Sequence, residues 1–542
     1  MEHDFDVIVI GSGASGGTLA ADLAASGMRV LVLERGRSNS DVANDERSTL
    51  INREPYDSRA IHVNERPSRL YMGSGPGGGT SVYGAALLRP SPDDFHPGKH
   101  YSDRIPRAIC NWPIEYTDLL PYFEAAEQLY RVAADSNDNL SPLPQPNCDA
   151  NRPPLPLAPI NKRVIESTRA VGLNPFRLPL GIQSSDCLKC ANCAGFLCPT
   201  GARRDAGQLL QLAADNGSNV IMLPERDVIE LRRCNGRIAY VNVMNRQTRT
   251  LERYSAERYA VAAGAIGTPA LLLRSGFEHP ELGRNYMMHY SPLVVGLFTR
   301  RTGADRTFVK QLGFSDFYFG TRELNEKMGL VQSLPAPGPL MLGKSGLKHV
   351  PGFVLNQLRS HMLPFVGIIE DLPQSTNRVT VDNSGRISLH HRFSDYDQRR
   401  GAALSSAMMG MLKAAGAVYC VSKQIPSAEH VAHQCGTVRF GNDPDTAVVD
   451  RDCRMFGQDD LFVVDGSILP TSLGVGPAMT LIANSLRISE VIKRDLSRSQ
   501  NTEAAPLSNL SSGYLKKGSD PLEGSKIAAR TAARRGSDPF FR

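Results

Sequence analysis

The sequence lacks the segments that would take a protein into or across a membrane. No run approaches the roughly 20 consecutive apolar residues that a membrane-spanning helix needs. No positively charged segment followed by an apolar one precedes the first predicted strand, which argues against a secretory signal peptide. These two absences predict a cytoplasmic protein without a membrane span.

Charge of one sign is not in large excess either. The chain has 61 Lys and Arg against 55 Asp and Glu, a formal net charge of +6. Residues 497–542 hold eight basic and four acidic residues, so +4 of that charge lies in the tail and about +2 in the rest. Because a nucleic-acid groove needs a concentrated basic surface, we expect no nucleic-acid partner.

The N-terminal segment has the pattern of a dinucleotide-binding βαβ unit. The apolar run 7–10 predicts a buried parallel strand, residues 18–25 a helix, and residues 29–33 a second strand. A G-x-G-x-x-G sequence joins the first strand to the helix, and an acid follows the second strand. This order is typical of a Rossmann-like, doubly wound α/β domain.

Each glycine and the acid of that pattern has a physical role in holding a dinucleotide. Gly11 allows the tight turn, Gly13 lets a pyrophosphate approach the backbone, and Gly16 lets the helix pack on the strand. The helix N-terminus attracts phosphate, and Glu34 can accept a hydrogen bond from a ribose hydroxyl. The predicted dinucleotide contacts here are Gly11, Gly13, Ala14, Ser15, Gly16, Glu34 and Arg35.

A second glycine-rich segment spans residues 73–81. Five glycines and one proline in nine residues exclude a regular helix or strand. We interpret the segment as a loop whose backbone lies against a ligand.

Six motifs resemble, in order, those of the glucose-methanol-choline (GMC) family of flavin-dependent oxidoreductases, and they cover nearly the whole chain before the tail. They lie at residues 77–90, 112–123, 264–276, 282–289, 433–441 and 465–472. The resemblance implies FAD as cofactor. It implies non-covalent binding, because residues 77–85 contain no histidine of the kind that links the flavin in some relatives. Further implied FAD contacts are Gly78, Gly79, Thr80, Ser81, Val228, Ala263, Gly264, Asp465, Gly466 and Pro477.

The resemblance also implies the domain organisation, α/β in the cofactor part and α+β overall. Residues 1–289 are expected to form the FAD-binding domain, with an inserted cap and Cys-rich segment at 138–206. Residues 290–425 are expected to form a mostly antiparallel substrate-binding domain, and residues 426–496 to return to the FAD-binding domain. Residues 497–542 are rich in Ser, Gly, Ala and Arg and predict a disordered tail.

The implied catalytic base is His433. Alcohol oxidation removes a hydroxyl proton while hydride leaves the carbon for the flavin, and a neutral imidazole suits that proton. Relatives place Asn or His just before the proline of the C-terminal motif, where this chain has Gly476. Asn484 and His289 are candidates for the missing polar group.

Ten cysteines in a cytoplasmic protein do not favour a disulfide framework. Four of them, Cys187, Cys190, Cys193 and Cys198, are spaced close to the ferredoxin pattern, although the last interval departs from it. Flavin-only members of the family show a similar Cys-rich loop. The sequence is compatible with three states of these four cysteines: ligands of an iron–sulfur cluster, ligands of zinc, or unligated thiols.

The predicted function is FAD-dependent oxidation of an alcohol to a carbonyl, with O2 or another electron acceptor. The resemblance implies a polyol, a sugar or an aminoglycoside-type primary alcohol as substrate, and Glu370 and Asp371 could meet a cationic one. The alternatives are a lyase or isomerase that keeps the flavin as structure, which Gly476 favours, and an iron–sulfur dehydrogenase subunit that passes electrons to a protein partner.

Overall fold

A computed structural model describes residues 3–149, 151–424 and 432–503 of the chain. The strands are β1 Phe5–Ile10, β2 Val30–Leu33, β3 Ala60–Val63, β4 Arg66–Arg69, β5 Pro175–Arg177, β6 Val220–Leu223, β7 Arg226–Cys234, β8 Arg237–Asn245, β9 Leu251–Tyr254, β10 Ala256–Val261, β11 Pro292–Leu297, β12 Leu312–Phe314, β13 Val331–Ser333, β14 Met362–Gly367, β15 Arg378–Val381, β16 Ile387–His390, β17 Tyr419–Gln424 and β18 Leu461–Val463. The α-helices are α1 Ala14–Ala25, α2 Gly98–Tyr101, α3 Tyr116–Leu129, α4 Pro159–Arg169, α5 Ala206–Asp215, α6 Gly264–Arg274, α7 Pro339–Leu342, α8 Gly352–Arg359, α9 Asp395–Ala414 and α10 Ala478–Glu503.

The predicted βαβ unit lies in a five-stranded parallel sheet of order β18-β10-β1-β2-β6. The apolar residues of β1 are buried, as a strand covered on both faces requires. A side chain at Gly16 would overlap the Gly11 carbonyl oxygen, so only glycine lets α1 pack this close to the end of β1. The Rossmann-like prediction is confirmed.

A second sheet has the order β17-β11-β14-β13-β12-β5, and each neighbouring pair is antiparallel. Helix α9 contributes buried side chains such as Leu404, Met408 and Met411 to the core of this sheet. The prediction of a mostly antiparallel second sheet is also confirmed.

Two strand pairings join segments on opposite sides of the predicted domain boundaries, which stay predictions. Strand β5 and the buried face of α4 belong to the second sheet and its core, although both lie in the segment assigned to the FAD-binding domain. Strand β16, assigned to the substrate-binding domain, pairs with β3 near the N-terminus. Pairing between distant segments depends on register, which spacing along the chain does not show.

The C-terminal part of the described chain is helix α10, which continues through Glu503 and so includes the first residues of the predicted disordered tail. From residue 504 onward, the predicted tail lies outside the described residues. Among the helices described, none has the length and apolar character that crossing a membrane requires. The cytoplasmic location stays a prediction.

Candidate active site

A cavity of about 850 Å³ opens at the carboxyl ends of β1, β2 and β10. Open α/β sheets bind their ligands at this edge. The glycine segment 73–81 and residues of the second sheet, among them Leu330, form other parts of the wall. His433 and Gly476 lie in the same wall, so one cavity contains the dinucleotide loop and the predicted base.

The first glycine loop fits the phosphates of a dinucleotide. Gly11 has a φ of +99°, and a side chain there would clash with the Ala262 carbonyl, so the turn requires glycine. A Cβ at Gly13 would meet no protein atom within 4 Å, which leaves the backbone at the start of α1 accessible from the cavity. This space at a helix N-terminus is the cradle that a pyrophosphate needs.

Glu34 lies in the cavity wall and is held in place by four donors. One carboxylate oxygen accepts from the backbone N–H and hydroxyl of Ser12 at 3.0 and 2.6 Å. The other accepts from the backbone N–H groups of Gly36 and Gly75 at 2.7 and 3.1 Å. Glu34 therefore ties the two glycine segments together at the position where the sequence predicts a ribose contact.

Arg35 also lines the cavity, where it forms ion pairs with Asp57 and Asp227. Burial lowers the pKa of Arg35, while the two carboxylates oppose that shift. Arg59 pairs with Asp57 as well, so the charges at this end of the cavity are matched.

Arg203 fixes the second glycine segment against the Cys-rich loop. Its fully buried guanidinium donates to the backbone carbonyls of Ser81, Tyr83, Cys193 and Phe196. Arg203 stands at the end of the Cys-rich motif, but the sequence assigned it no role, because its contacts are main-chain oxygens of two distant segments.

Most of the predicted FAD contacts line the cavity, and two do not. Gly16 packs beneath the first loop, and the Ser81 hydroxyl donates to Gly78 within its own turn. Asp465 faces the cavity and accepts from the Gly264 N–H at 2.7 Å and from the Thr268 hydroxyl. Burial raises the pKa of Asp465. These residues fit the group that the motifs imply.

His433 and His289 lie side by side, with 3.0 Å between their Nδ1 atoms. The Nε2 atom of His289 lies 2.8 Å from the carbonyl oxygen of Leu473. Because a carbonyl only accepts, His289 donates from Nε2, and its Nδ1 must then be the acceptor in the pair. Burial lowers the pKa of His289 to about 4, which keeps this imidazole neutral.

The backbone at this pair is unusual. His433 has a φ of +61° and Leu473 a φ of +68°, in the left-handed region that side chains disfavour. Such conformations persist where surrounding structure enforces them, and they cluster at active sites. A Cβ at Gly476 would lie 3.2 Å from Nε2 of His433, so any larger residue at this position would crowd the imidazole.

Asn484 does not join this pair. Its side chain is buried on α10, contacts Cys453 and Arg487, and does not line the cavity. His289 does contact His433, although through the face of the base that points away from Gly476.

The expectation that Glu370 and Asp371 face a cationic substrate is wrong. Both are fully buried outside the cavity lining. Glu370 pairs with Lys327, and Asp371 lies 3.3 Å from Nε2 of His391. Buried carboxylates with such partners belong to the packing of the fold.

The Cys-rich loop contributes Ala191, Asn192 and Gly195 to the cavity wall. Burial raises the pKa of Cys193 to about 12. Within the described ranges, no three or more His, Cys, Asp and Glu side chains are arranged to hold a metal ion.

Comparison with known proteins finds oxidoreductases that match 91% of the chain. It is 28% identical to 6'''-hydroxyparomomycin C oxidase of Streptomyces lividus, with 91% of this chain and 92% of that protein covered. It is 27% identical to paromamine 6'-oxidase of Streptomyces fradiae over the same shares. It is 25% identical to 2-methyl-1,2-propanediol dehydrogenase of Mycolicibacterium austroafricanum, with 91% and 96% covered.

Among solved structures, pyridoxine 4-oxidase from Mesorbium loti superposes with a TM-score of 0.61 at 19% identity, covering 91% of this chain and 99% of that one. This likeness shows the fold. Two family models described as GMC oxidoreductase match residues 5–291 and 373–485. The chain therefore belongs to the GMC oxidoreductase family of FAD-binding enzymes that oxidise alcohols.

Proposed function

We propose that this protein oxidises a primary alcohol to an aldehyde with bound FAD, and that His433 accepts the hydroxyl proton. The observation that carries the proposal is the ordered contact from Leu473 through His289 to His433. It ends at an imidazole nitrogen beside Gly476 in the wall of the cavity.

The protonation of the pair follows from the order of donors. His289 gives its Nε2 proton to the Leu473 carbonyl, so its Nδ1 accepts from Nδ1–H of His433. The neutral form of His433 then carries its lone pair on Nε2, the atom that Gly476 leaves accessible. A neighbour that selects the tautomer in this way prepares the base for proton abstraction.

When bound, FAD supplies the acceptor for the hydride that leaves the carbinol carbon. The residues that would hold it are those of the two glycine segments, Glu34, Val228 and the Gly264–Asp465 contact. Nε2 of His433 takes the hydroxyl proton, and the electron pair that this leaves on oxygen forms the second bond of the carbonyl as the hydride departs with the C–H electron pair.

The substrate class rests on the relatives. Two of them are named for the oxidation of aminoglycosides and one for a diol. We infer a primary alcohol within a polyol, sugar or aminoglycoside-type molecule. The relatives include an oxidase and a dehydrogenase, so the inferred acceptor is O2 or another electron carrier. The proposed electron path does not include the four clustered cysteines.

The test is anaerobic bleaching of the flavin by a panel of polyols, sugars and aminocyclitols. With a substrate identified, His433→Ala should retain FAD but slow flavin reduction by roughly 10²–10⁴-fold, the usual contribution of a general base. His349→Ala is the matched control, because His349 is exposed and outside the cavity. An unchanged rate in His433→Ala would remove this residue from the role.

His289 acts through His433 and is a positioning residue. His289→Phe leaves Nδ1–H of His433 without its acceptor, so the tautomer with Nε2 protonated becomes competitive. We expect slower flavin reduction and a shifted pH profile, with FAD binding and substrate affinity retained. A profile identical to that of the unaltered enzyme would show that His289 does not orient the base.

A further inference from the structure

Gln332 of β13 and Lys310, which lies just before β12, are polar residues that line the same cavity as the base. Leu330 and Gln332 face the cavity, while Val331 between them packs into the core of the second sheet, as strand alternation requires. The Leu330 N–H donates to the Gly474 carbonyl at 2.9 Å. Gly474 lies two residues before Gly476, so this strand borders the segment that contacts His433.

Lys310 precedes β12, the strand that pairs with β13 through Gly313 and Gln332. It lines the cavity and is only 7% exposed. Within residues 3–149, 151–424 and 432–503, no hydrogen bond or ion pair engages its ammonium group, and the Gln332 Oε1 is likewise buried without a partner. A buried ammonium without a counter-charge is costly, so such a group marks a place where a ligand completes the site.

The acids elsewhere in the cavity wall are already engaged. Glu34 has four donors, Asp57 and Asp227 pair with Arg35, and Asp465 accepts from Gly264 and Thr268. Glu46 accepts from the backbone N–H groups of Leu340 and Met341. Lys310 therefore supplies a positive charge that the described part of the protein does not neutralise.

The absence of a side chain at Gly84 leaves the space that the end of Lys310 occupies. A Cβ at Gly84 would lie 2.7 and 2.9 Å from Cδ and Cε of Lys310 and closer still to Nζ. The lysine tip therefore lies directly against Gly84, three residues after the second glycine segment.

We propose that Lys310 is a specificity-determining residue that donates to a second oxygen function of the alcohol substrate, a carboxylate or a hydroxyl remote from the reacting carbon, and that the Gln332 Oε1 assists by accepting from a neighbouring substrate hydroxyl. An ammonium donates up to three hydrogen bonds and accepts none, so it recognises oxygen acceptors and disfavours a cationic amine at the same position. The inference rests on the proposed alcohol oxidation and names the chemistry that the substrate carries besides its reacting hydroxyl.

The experiment uses the FAD-loaded enzyme and four six-carbon probes. Each has a primary alcohol at one end, and they differ elsewhere: hexan-1-ol has no second oxygen, D-glucitol has hydroxyls, D-gluconate adds a carboxylate and D-glucamine an ammonium. Dissociation constants come from perturbation of the oxidised flavin spectrum without oxygen, and bleaching is recorded separately. The variants are Lys310→Met, Gln332→Leu and the control Lys99→Met, whose lysine is exposed and pairs with Asp93.

We expect gluconate and glucitol to bind more tightly than hexan-1-ol, and glucamine to bind less tightly than glucitol. Lys310→Met should weaken gluconate binding about ten- to hundredfold, the scale of a hydrogen bond to a charged group, and Gln332→Leu less. Lys99→Met should change nothing. These binding results support the proposed role of Lys310 even if none of the probes bleaches the flavin, because bleaching tests the proposed function instead.

Three outcomes overturn the inference. The first is that no oxygen-rich probe binds more tightly than hexan-1-ol, and the second is that Lys310→Met leaves gluconate affinity intact. The third is that Lys310→Met shifts the flavin reduction potential while all four dissociation constants stay the same, which would assign the lysine to the flavin instead.

Discussion

Lys310 and Lys327 are both buried, yet their surroundings are opposite. Lys327 is enclosed by Asp94 and Glu370, and Tyr101 and Tyr318 lie close to the same carboxylates. Burial acts to lower the pKa of Lys327, but the two carboxylates outweigh it and raise that pKa. Lys310 faces the cavity without a carboxylate partner in the described chain, and burial lowers its pKa to about 8.

The difference separates two uses of a buried charge. The cluster around Lys327 is internally neutralised and joins helix α9, through Arg400, to the segment that contains Glu370. It contributes to the fold. Lys310 has no carboxylate partner in the described chain. It therefore destabilises the ligand-free fold, and a ligand that supplies the missing partner removes that cost when it binds. Partners, rather than burial itself, decide which role a buried lysine has.

The largest expected effect tests the structural side of this comparison. Lys327→Met leaves Asp94 and Glu370 buried beside each other without their cation. Removing one partner of a buried ion pair typically costs about 3–5 kcal/mol. We expect a loss of that order in the free energy of unfolding, measured with urea. A loss below about 1 kcal/mol would show that the cluster does not depend on its lysine.

Removing Lys310 should change the free energy of unfolding in the opposite direction. The fall in pKa from 10.5 to about 8 corresponds to an unfavourable contribution of about 3 kcal/mol while Lys310 is charged. Lys310→Met should therefore raise the free energy of unfolding of the substrate-free enzyme, by up to about that amount at pH 7. A loss of stability instead would place Lys310 among the structural charges.

The same prediction has a pH signature. Below about pH 8 Lys310 is protonated in both the folded and the unfolded chain, so the cost is present in full. Between about 8 and 10.5 the folded protein releases the proton first, and stability rises with pH until the difference from Lys310→Met disappears. The groups acting on Lys310 are Cys193 and Arg203, and Cys193 keeps its proton in this range because its pKa is about 12. The stabilising contribution of Lys327 should persist between pH 8 and 10.5, because the folded protein holds this proton more tightly than the unfolded chain does. That contribution is lost only as the pH rises from 10.5 through the raised folded pKa.

The smallest expected effect tests whether the space at Gly84 positions the end of Lys310. Gly84→Ala should push the lysine tip aside, because the atoms that its Cβ would meet all belong to the flexible end of that side chain. We expect gluconate to bind about tenfold more weakly. The free energy of unfolding should fall by less than about 1 kcal/mol, since the lysine can move.

The matched control is Gly410→Ala, where a Cβ on α9 would meet no atom within 4 Å. In the double variant Gly84→Ala/Lys310→Met, the alanine should have no further effect on gluconate binding. Additive losses would mean that Gly84 acts independently of the lysine.

Local patterns predicted the cofactor half of the site well. Strand β1, the glycine turn and Glu34 lie within 34 residues, and each is recognised by spacing and by the backbone freedom of glycine. The substrate half was predicted less well. Lys310 and Gln332 have no motif, and the carboxylates of Glu370 and Asp371, which stand next to each other in the sequence, turned out to be sealed in the core.

The sequence by itself determined the dinucleotide fold, the family and the identity of the candidate base, because these depend on residues close together in the chain. Only the tertiary structure decided that Nδ1 of His433 lies beside Nδ1 of His289, that β5 joins the second sheet, and which of two buried lysines has a counter-charge. Those properties depend on contacts between residues far apart in sequence, such as His289 with His433. Register and packing settle such contacts, whereas composition and spacing leave them open.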